Sequence, residues 1–445
     1  MKRYVIIGGD AAGMSAAMEL VRNRDKEDTI ITTIEKGSIY SYAQCGLPYV
    51  IEGAIEHEDH LIARDVETFR SQYGIDARTN SEVTSIDCEK KFVYVRSENK
   101  HETIDYDTLL IATGASPIVP DIPGKELKGT HTLKTIPDLQ NLQKDLPDVS
   151  HITIVGGGYI GLELTEALVT QGYDICLIQR NDQLAPGIDD QLVEHLHEEA
   201  RLHNVDLRLS EQIEAVQGTT RVHSVKTDQS EISTDLVIFA TGIEPNTTFL
   251  SDCSVTRSKE GAIYVDEYLQ TNVPDVYAAG DCALQYHRLK EEADYAPLGT
   301  HANKQGRIAG INMSERLPLR RYEGMTGTSI FRFFNLDVAM TGLSEEEATA
   351  LGHDVGTVHY TGSHIAGYFE EKKPIHLNLI YDHTSDQFLG AQIIGKGVDK
   401  RIDVAATALY SKLTCEDIEN LDLAYAPPYN GVWDPLQQAL RRRER

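Results

Sequence analysis

Apolar and polar positions run along this chain in two distinct patterns. In the first, a short apolar run stops on glycine, a helix-period stretch follows, and another apolar run closes the unit: Arg3 to Gly8, Gly13 to Arg24, and Thr29 to Glu35. The same order returns at Ile152 to Gly156, Tyr159 to Thr170, and Asp174 to Arg180. Each reads as strand, helix and parallel strand, and its recurrence predicts two dinucleotide-type units in one chain. Leu109 to Gly114 and Leu236 to Gly242 are near copies of each other, and one is expected to close each unit as a buried strand. After about Tyr322 the pattern changes. Ile375 to Tyr381 and Phe388 to Ile394, flanking a turn at His383 to Asp386, predict antiparallel sheet in a third, α+β domain. The basic tail, Arg441 to Arg445, reads as a solvated helix end.

The glycines give these units a chemistry. Gly156-Gly157-Gly158-Tyr159-Ile160-Gly161 has the full dinucleotide spacing between a strand and a helix. Its glycines allow a tight turn, close backbone approach to a pyrophosphate, and helix-strand contact. Gly8-Gly9-Asp10-Ala11-Ala12-Gly13 keeps the outer glycines but carries Asp10 in the middle place. Glu35, about twenty residues on, is placed to accept hydrogen bonds from an adenosine ribose. The second unit ends instead in Gln179-Arg180, which removes a carboxylate and offers a guanidinium to a 2′-phosphate. FAD in the first unit and NADPH in the second are therefore expected, with NADH the alternative nucleotide. Thr271 to Asp281 supports the flavin, since Gly280-Asp281 sets a carboxylate against the ribityl chain; a helix N-cap is the other role open to Asp281.

A chain of 445 residues outgrows a single core, which suits two or three domains. The net charge of −27 excludes nucleic acid and anionic lipid as natural partners, and an anionic substrate would need a local basic pocket. No apolar run is long enough to span a bilayer, and Met1 to Ile7 leads directly into a strand, so an unexported chain is expected. The 6 cysteines, at 45, 88, 176, 253, 282 and 415, show no C-x-x-C, no zinc spacing and no dense disulfide framework, pointing to reducing cytoplasm.

Taken together, Gly8 to Gly13, Ala112-Thr-Gly114, Gly156 to Gly161, Ala240-Thr-Gly242, Ala279-Gly-Asp281 and Pro297 to Arg307 resemble the pyridine nucleotide-disulfide oxidoreductase family over the whole chain. The resemblance implies an α/β fold of two Rossmann-like domains plus a C-terminal α+β dimerisation domain. Its expected borders are 1–117 with 247–322 for FAD, 118–246 for NAD(P)H, and 323–445 for dimerisation. It further implies cofactor contacts from Lys36, Val83, Thr113, Gly114, Ile160, Gly242 and Pro297, with Tyr159 as a gate and Glu163 near the flavin face.

Within that family, the cysteine selects the branch. In Ser41-Tyr-Ala-Gln-Cys-Gly-Leu-Pro-Tyr49, the places of a second redox cysteine are held by Pro48 and Val50. Any disulfide at Cys45 is then with substrate, and the helix-forming stretch after it is expected to favour the thiolate. The segment Ala424 to Tyr429 is similar to that of single-cysteine coenzyme A-disulfide reductases. This implies reduction of coenzyme A disulfide by NADPH through a Cys45-coenzyme A mixed disulfide, in a homodimer whose Tyr425 and Tyr368 face the disulfide from the partner subunit. A phenol there protonates the departing thiolate. The same resemblance gives Ser15, Glu19, Arg22, Ser41, Gln44 and Asn303 as coenzyme A contacts. Arg22 is expected to pair with its phosphates, whereas Glu19 is an odd neighbour for an anion, and no clear basic residue stands near Tyr73. Alternatives that keep Cys45 are an NAD(P)H oxidase or peroxidase, disfavoured by Ala11 where that group carries histidine, and a persulfide or polysulfide reductase, whose appended rhodanese-like domain is not expected in a chain ending at Arg445. A flavin-based redox sensor would make Cys45 dispensable.

Overall fold

The computed structural model describes residues 1–445 except Asn99, Asp252, Arg316, Leu317 and Arg445, and gives the backbone alone at Lys26. The first unit forms as the hydrophobic pattern requires. Strand β1 (Lys2–Ile7) leads through Gly8 into helix α1 (Ala11–Asn23), and β2 (Thr29–Ile34) returns parallel to β1. Helix α2 (Leu47–Glu52) and β3 (Asp76–Arg78) follow. The sheet order is Val276–Ala278, Thr108–Ile111, β1, β2, β3, so a strand from far along the chain completes the first sheet.

The second unit repeats this plan. Its parallel sheet runs Asp206–Leu209, Asp174–Gln179, His151–Val155, Leu236–Phe239, Thr130–His131. The two near-copied segments do close the two units, and they do so at one shared contact. A Cβ on Gly8 would lie 2.1 Å from the Ala112 carbonyl oxygen, and one on Gly156 would lie 2.3 Å from that of Ala240. Only glycine permits the turn to press so closely on the neighbouring strand end, at φ of 117° and 113°. The C-terminal segment forms a 5-stranded antiparallel sheet in which Pro374–Asp382 pairs with Phe388–Gly395, as the alternation predicts. Every residue of Phe388–Gly395 is buried, since the Val398–Tyr410 helix packs on one face of this strand and the second unit, through the Asp190–Leu202 helix, on the other.

Two features depart from the sequence reading. The basic tail is docked rather than solvated. Arg443 is buried, with hydrogen bonds to Asp386 and an ion pair to Glu419, while Arg441 and Arg442 lie over the rings of Trp433 and Tyr360; Arg445 lies outside the described residues. Cys88 and Cys253, 165 residues apart in sequence, form a disulfide between the two chain segments that flank the second unit. A reducing compartment disfavours such a bond. Among the described residues no helix is long and apolar enough to cross a membrane.

Candidate active site

Both nucleotide loops end on helices that lack a side-chain cap: α1 begins after Asp10, and the Tyr159–Thr170 helix after Gly158, neither supplying a capping hydrogen bond. The first-turn N–H groups are thereby left for an anionic ligand, and the positive end of the helix dipole adds to the attraction. This donor set fits the pyrophosphates of FAD and NAD(P)H. In the first loop Glu35 is locked at the strand end, its two oxygens accepting the N–H groups of Gly9 at 2.9 Å and Gly37 at 2.7 Å. Lys36 beside it is exposed, and Val83 is buried in the strand Ser81–Asp87. In the second loop the Gln179 amide is turned inward, accepting Gly157 N–H at 3.3 Å and donating to the Gln183 carbonyl, so exposed Arg180 is the cation at that strand end.

Asp10 is diverted from the phosphate loop. Its carboxylate accepts Tyr42 N–H at 3.2 Å and Gln44 Nε2 at 2.6 Å, clamping the Ser41 to Gly46 turn onto the start of α1. Ser41, at φ 49°, donates its N–H to the Gly9 carbonyl. Burial pushes Asp10 up to about 6, against the pull of those hydrogen bonds. Cys45 sits in the turn Gln44–Gly46 directly before α2. A Cβ on Gly46 would lie 2.3 Å from Leu61 Cδ2, so a larger residue there requires the Leu61 side chain to move.

The Cys45 thiol is free and exposed, whereas Cys176, Cys282 and Cys415 are buried. Its electrostatics differ from the sequence expectation. Helix α2 is only 6 residues long and is entered through Gly46, so its dipole is weak at the sulfur. The crowded surroundings push the thiol up, and the nearby Glu163 carboxylate adds to the rise; Lys134 opposes both. Lys134, which sequence reasoning missed because it belongs to no motif, pairs with Asp281 at 3.2 Å. No helix follows Asp281, which rules out its N-cap role, and the Tyr295 hydroxyl donates to its carbonyl.

Behind α2, Arg332 from the C-terminal sheet makes ion pairs of 2.6 Å with both Glu52 and Glu166. Glu163 lies next to this cluster without a cation of its own. Burial and Glu166 push it up to about 7, only partly offset by Tyr49 and by the nearby Arg332 guanidinium. Tyr159 packs its ring on Phe331 at 4.9 Å, with its hydroxyl 3.4 Å from Ser329 Oγ, while Ile160 is exposed. Thr113 donates to the Asn246 carbonyl at 2.7 Å, and Gly114, Gly242 and Gly280 take left-handed φ at the ends of their strands; Pro297 lies two residues before the Gly299–Ser314 helix.

Glu163 and Asp10 hold protons more tightly in the folded chain than in the unfolded one. Between the ordinary carboxylate values of 4.5 and 3.8 and the folded values of about 7 and about 6, the folded state binds the extra proton. Their contribution to stability is therefore complete below that window and is lost as pH rises through it. Glu163→Gln, which cannot ionise, is expected to be more stable than the parent at pH 7.5 by about 1–2 kcal/mol after allowing for screening, and to show no such gain at pH 4.5. Urea denaturation at the two pH values measures this, and equal stability at pH 7.5 rules it out.

The expected coenzyme A contacts fall in two groups. Ser41 and Gln44 belong to the cysteine turn. Ser15, Glu19 and Arg22 share one face of α1, opposite Asn303 on the Gly299–Ser314 helix, and Ser15 Oγ donates to Asn303 Oδ1 at 3.1 Å. A cation does stand near Tyr73, where the sequence reading saw none: the guanidinium of Arg64, nine residues earlier, lies over its ring at 5.7 Å. Tyr368 and Tyr425 lie on the C-terminal domain, both exposed, and the neighbouring Tyr425 pushes the Tyr368 phenol up; Tyr429, Val432 and Trp433 are exposed as well.

Comparison with known proteins bears on this arrangement. Residues 2–306 match the family described as pyridine nucleotide-disulphide oxidoreductase, and residues 328–435 match its dimerisation domain. This chain belongs to that family. The pyridine nucleotide-disulphide oxidoreductases use FAD and NAD(P)H, the two groups that the loops above fit. The chain is 38% identical over 437 residues to the NAD(P)H sulfur oxidoreductase (CoA-dependent) of Pyrococcus abyssi, covering 98% of this chain and 96% of that one. It is 31% identical to the coenzyme A disulfide reductase of Staphylococcus aureus, covering 97% of each. Among solved structures, the reduced Bacillus anthracis CoADR-RHD matches with a TM-score of 0.94 at 34% identity, over 99% of this chain and 79% of that chain.

Proposed function

We propose that the protein reduces coenzyme A disulfide with NADPH, through a mixed disulfide between Cys45 and coenzyme A. The balance is NADPH, one proton and the disulfide in, NADP+ and two coenzyme A thiols out. The observation that carries this reading is a free, exposed sulfur in the turn clamped to the N-terminal end of α1, with the other described cysteines either buried or paired with each other. A thiol without a protein partner stores oxidising equivalents as a bond to substrate or as a sulfenic acid, and the first of these is the form that a disulfide substrate supplies. Bound FAD supplies the route by which the electron pair of NADPH reaches that sulfur. Lys134 stabilises the Cys45 thiolate, Asp10 and Gln44 hold its turn, and the Ser15 to Arg22 face with Asn303 takes the substrate arm. We assign 1–117 with 247–322 to FAD, 118–246 to NADPH and 323–445 to dimer contact. Pairing of two copies covers the exposed aromatic patch and brings Tyr425 and Tyr368 of one copy to the disulfide held by the other, where a phenol protonates the leaving thiolate. Arg180 supports NADPH over NADH. The cytoplasm is the compartment we assign, on the scattered cysteines and the NADPH that the reaction consumes, with the Cys88–Cys253 disulfide the one feature that speaks against it.

A second reading shares every one of these residues. The Pyrococcus abyssi relative is named for sulfur rather than for a disulfide, and Cys45 beside a bound coenzyme A would serve a persulfide equally well. Steady-state oxidation of NADPH and NADH with coenzyme A disulfide, coenzyme A persulfide and polysulfide separates the two. We expect the highest kcat/KM for the disulfide with NADPH, and an adduct of coenzyme A mass on Cys45 in the oxidised protein that NADPH removes. Turnover of the persulfide with none of the disulfide would transfer the assignment to the second reading.

A further inference from the structure

The Cys88–Cys253 bond sits where it can act on the flavin domain. Cys88 follows the strand Ser81–Asp87, and Cys253 follows the short turn Thr248–Leu250, which packs against that strand. Both joined segments run to residues expected at the flavin. Val83 lies in the strand itself. Asn246, at the head of the other segment, donates its N–H to the Gly114 carbonyl at 2.9 Å and its Nδ2 to the Thr113 carbonyl at 3.0 Å, and its own carbonyl accepts Thr113 Oγ1 at 2.7 Å.

The loop that the bond closes spans 165 residues and holds the whole second unit. The chain enters that unit along Ala115–Pro117 and leaves it along Ile243–Pro245, two strands paired antiparallel. The disulfide therefore fastens this double crossing to the flavin domain, a few residues beyond the point of return. A cross-link over so long a loop removes much of the freedom of the opened chain.

The two sulfurs are open to exchange. Both cysteines are half-buried, with exposed Glu89 and Ser254 as chain neighbours, whereas the free thiols of Cys176, Cys282 and Cys415 are buried. They also stand apart from Cys45. Cys88 and Cys253 pack with Val5 and Ile7 on one face of the first sheet, while α1, to whose N-terminal end the Cys45 turn is clamped, packs with Tyr4 and Ile6 on the other. A disulfide within reach of cellular thiols opens and re-forms with the thiol–disulfide ratio around it.

We propose that Cys88 and Cys253 form a second, reversible thiol–disulfide site, separate from Cys45, whose oxidation by a low-molecular-weight disulfide locks the flavin domain. The thiolate of one cysteine attacks the small disulfide, forming a mixed disulfide and releasing one small thiolate. The thiolate of the other attacks that mixed bond, closing Cys88–Cys253 and releasing the second. Two cysteine thiols are oxidised and one small disulfide is reduced to two thiols; excess thiol runs the exchange backwards. The locked form retains FAD, so the holoenzyme is most durable under disulfide load. The inference goes beyond the reaction at Cys45 and does not depend on which substrate that sulfur takes.

The test uses holoenzyme carrying Cys45→Ser, which removes turnover and adducts at that sulfur. It is equilibrated in glutathione buffers running from all thiol to all disulfide, then alkylated and digested for mass spectrometry. Cys88 and Cys253 are expected to pass together from alkylated to linked as the disulfide fraction rises, and the melting temperature to rise with them by about 5 °C or more. Release of FAD on dilution, read by flavin fluorescence, is expected to be several-fold slower in the linked form. Cys88→Ser and Cys253→Ser, each added to that background, should melt and release FAD as the thiol form does in every buffer. The buffer series needs neither of these variants, so the test stands if they fail to fold. A pair that stays linked in excess glutathione, or that never links in glutathione disulfide, overturns the switch. Linking that alters neither the melting temperature nor FAD release overturns it equally.

Discussion

Cys45→Ser is expected to lose at least about a thousandfold in NADPH-dependent disulfide turnover, because the hydroxyl that replaces the thiol cannot form or release a mixed disulfide. Cys45 is the free cysteine exposed at the site, and Cys176, Cys282 and Cys415 are buried too deeply to replace it. The loops that fit FAD and NADPH lie apart from the sulfur in sequence, so bleaching of bound flavin by NADPH should persist. Stopped-flow absorbance and steady-state assays on the same preparation give both numbers. Turnover close to that of the parent would show that the sulfur is dispensable, which fits a redox sensor and removes the disulfide chemistry proposed here.

Arg401→Met should cost about 3–5 kcal/mol of stability, the range typical when one partner of a buried ion pair is removed. Arg401 and Asp434 have side chains only 2% and 1% exposed and pair at 3.1 Å. The guanidinium also donates to the carbonyls of Gly397 and His364 and to Asn430 Oδ1. Methionine fills the volume but strands these acceptors and leaves the Asp434 carboxylate without its cation. Lys400, 4.0 Å from Asp434, is too distant to take over with a short hydrogen bond. The cost falls on the two segments that carry the aromatic patch, since Arg401 ties the 364–368 loop to the 425–434 segment, which are also joined by the Ala366 N–H to the Pro427 carbonyl. Urea denaturation of the holoenzyme should register the loss, together with weaker association of two copies. A change under about 1 kcal/mol would mean that this pair does not hold the tyrosine loops.

Legibility in the sequence followed the range of the interaction. Gly8 and Gly156 announce themselves because a turn at positive φ pressed on a neighbouring carbonyl tolerates no Cβ, and that constraint acts at one position in the chain. The buried stretches Tyr4 to Ile7 and Ile152 to Val155 are visible because burial on both faces leaves a run that is apolar but for Thr153. Asp10 was visible as an irregularity but not as a clamp, since its partners Tyr42 and Gln44 come from a turn more than one strand away. Arg307 stood within a recognisable segment without disclosing its ion pair with Glu19, which lies 288 residues earlier. Arg443 was misjudged for a related reason: a terminal run of arginines is normally solvated, and nothing local announces Asp386 and Glu419 as its partners.

The sequence by itself determined the order of strands and helices, the two glycine loops and the lack of a second cysteine in the Cys45 motif, because periodicity, φ requirements and motif spacing are properties of neighbouring residues. Only the tertiary structure decided the charge around that sulfur, the Arg22, Glu19 and Arg307 cluster, and the Cys88–Cys253 bond. Those depend on how closely distant elements pack, and electrostatic and covalent partners are chosen by distance in space.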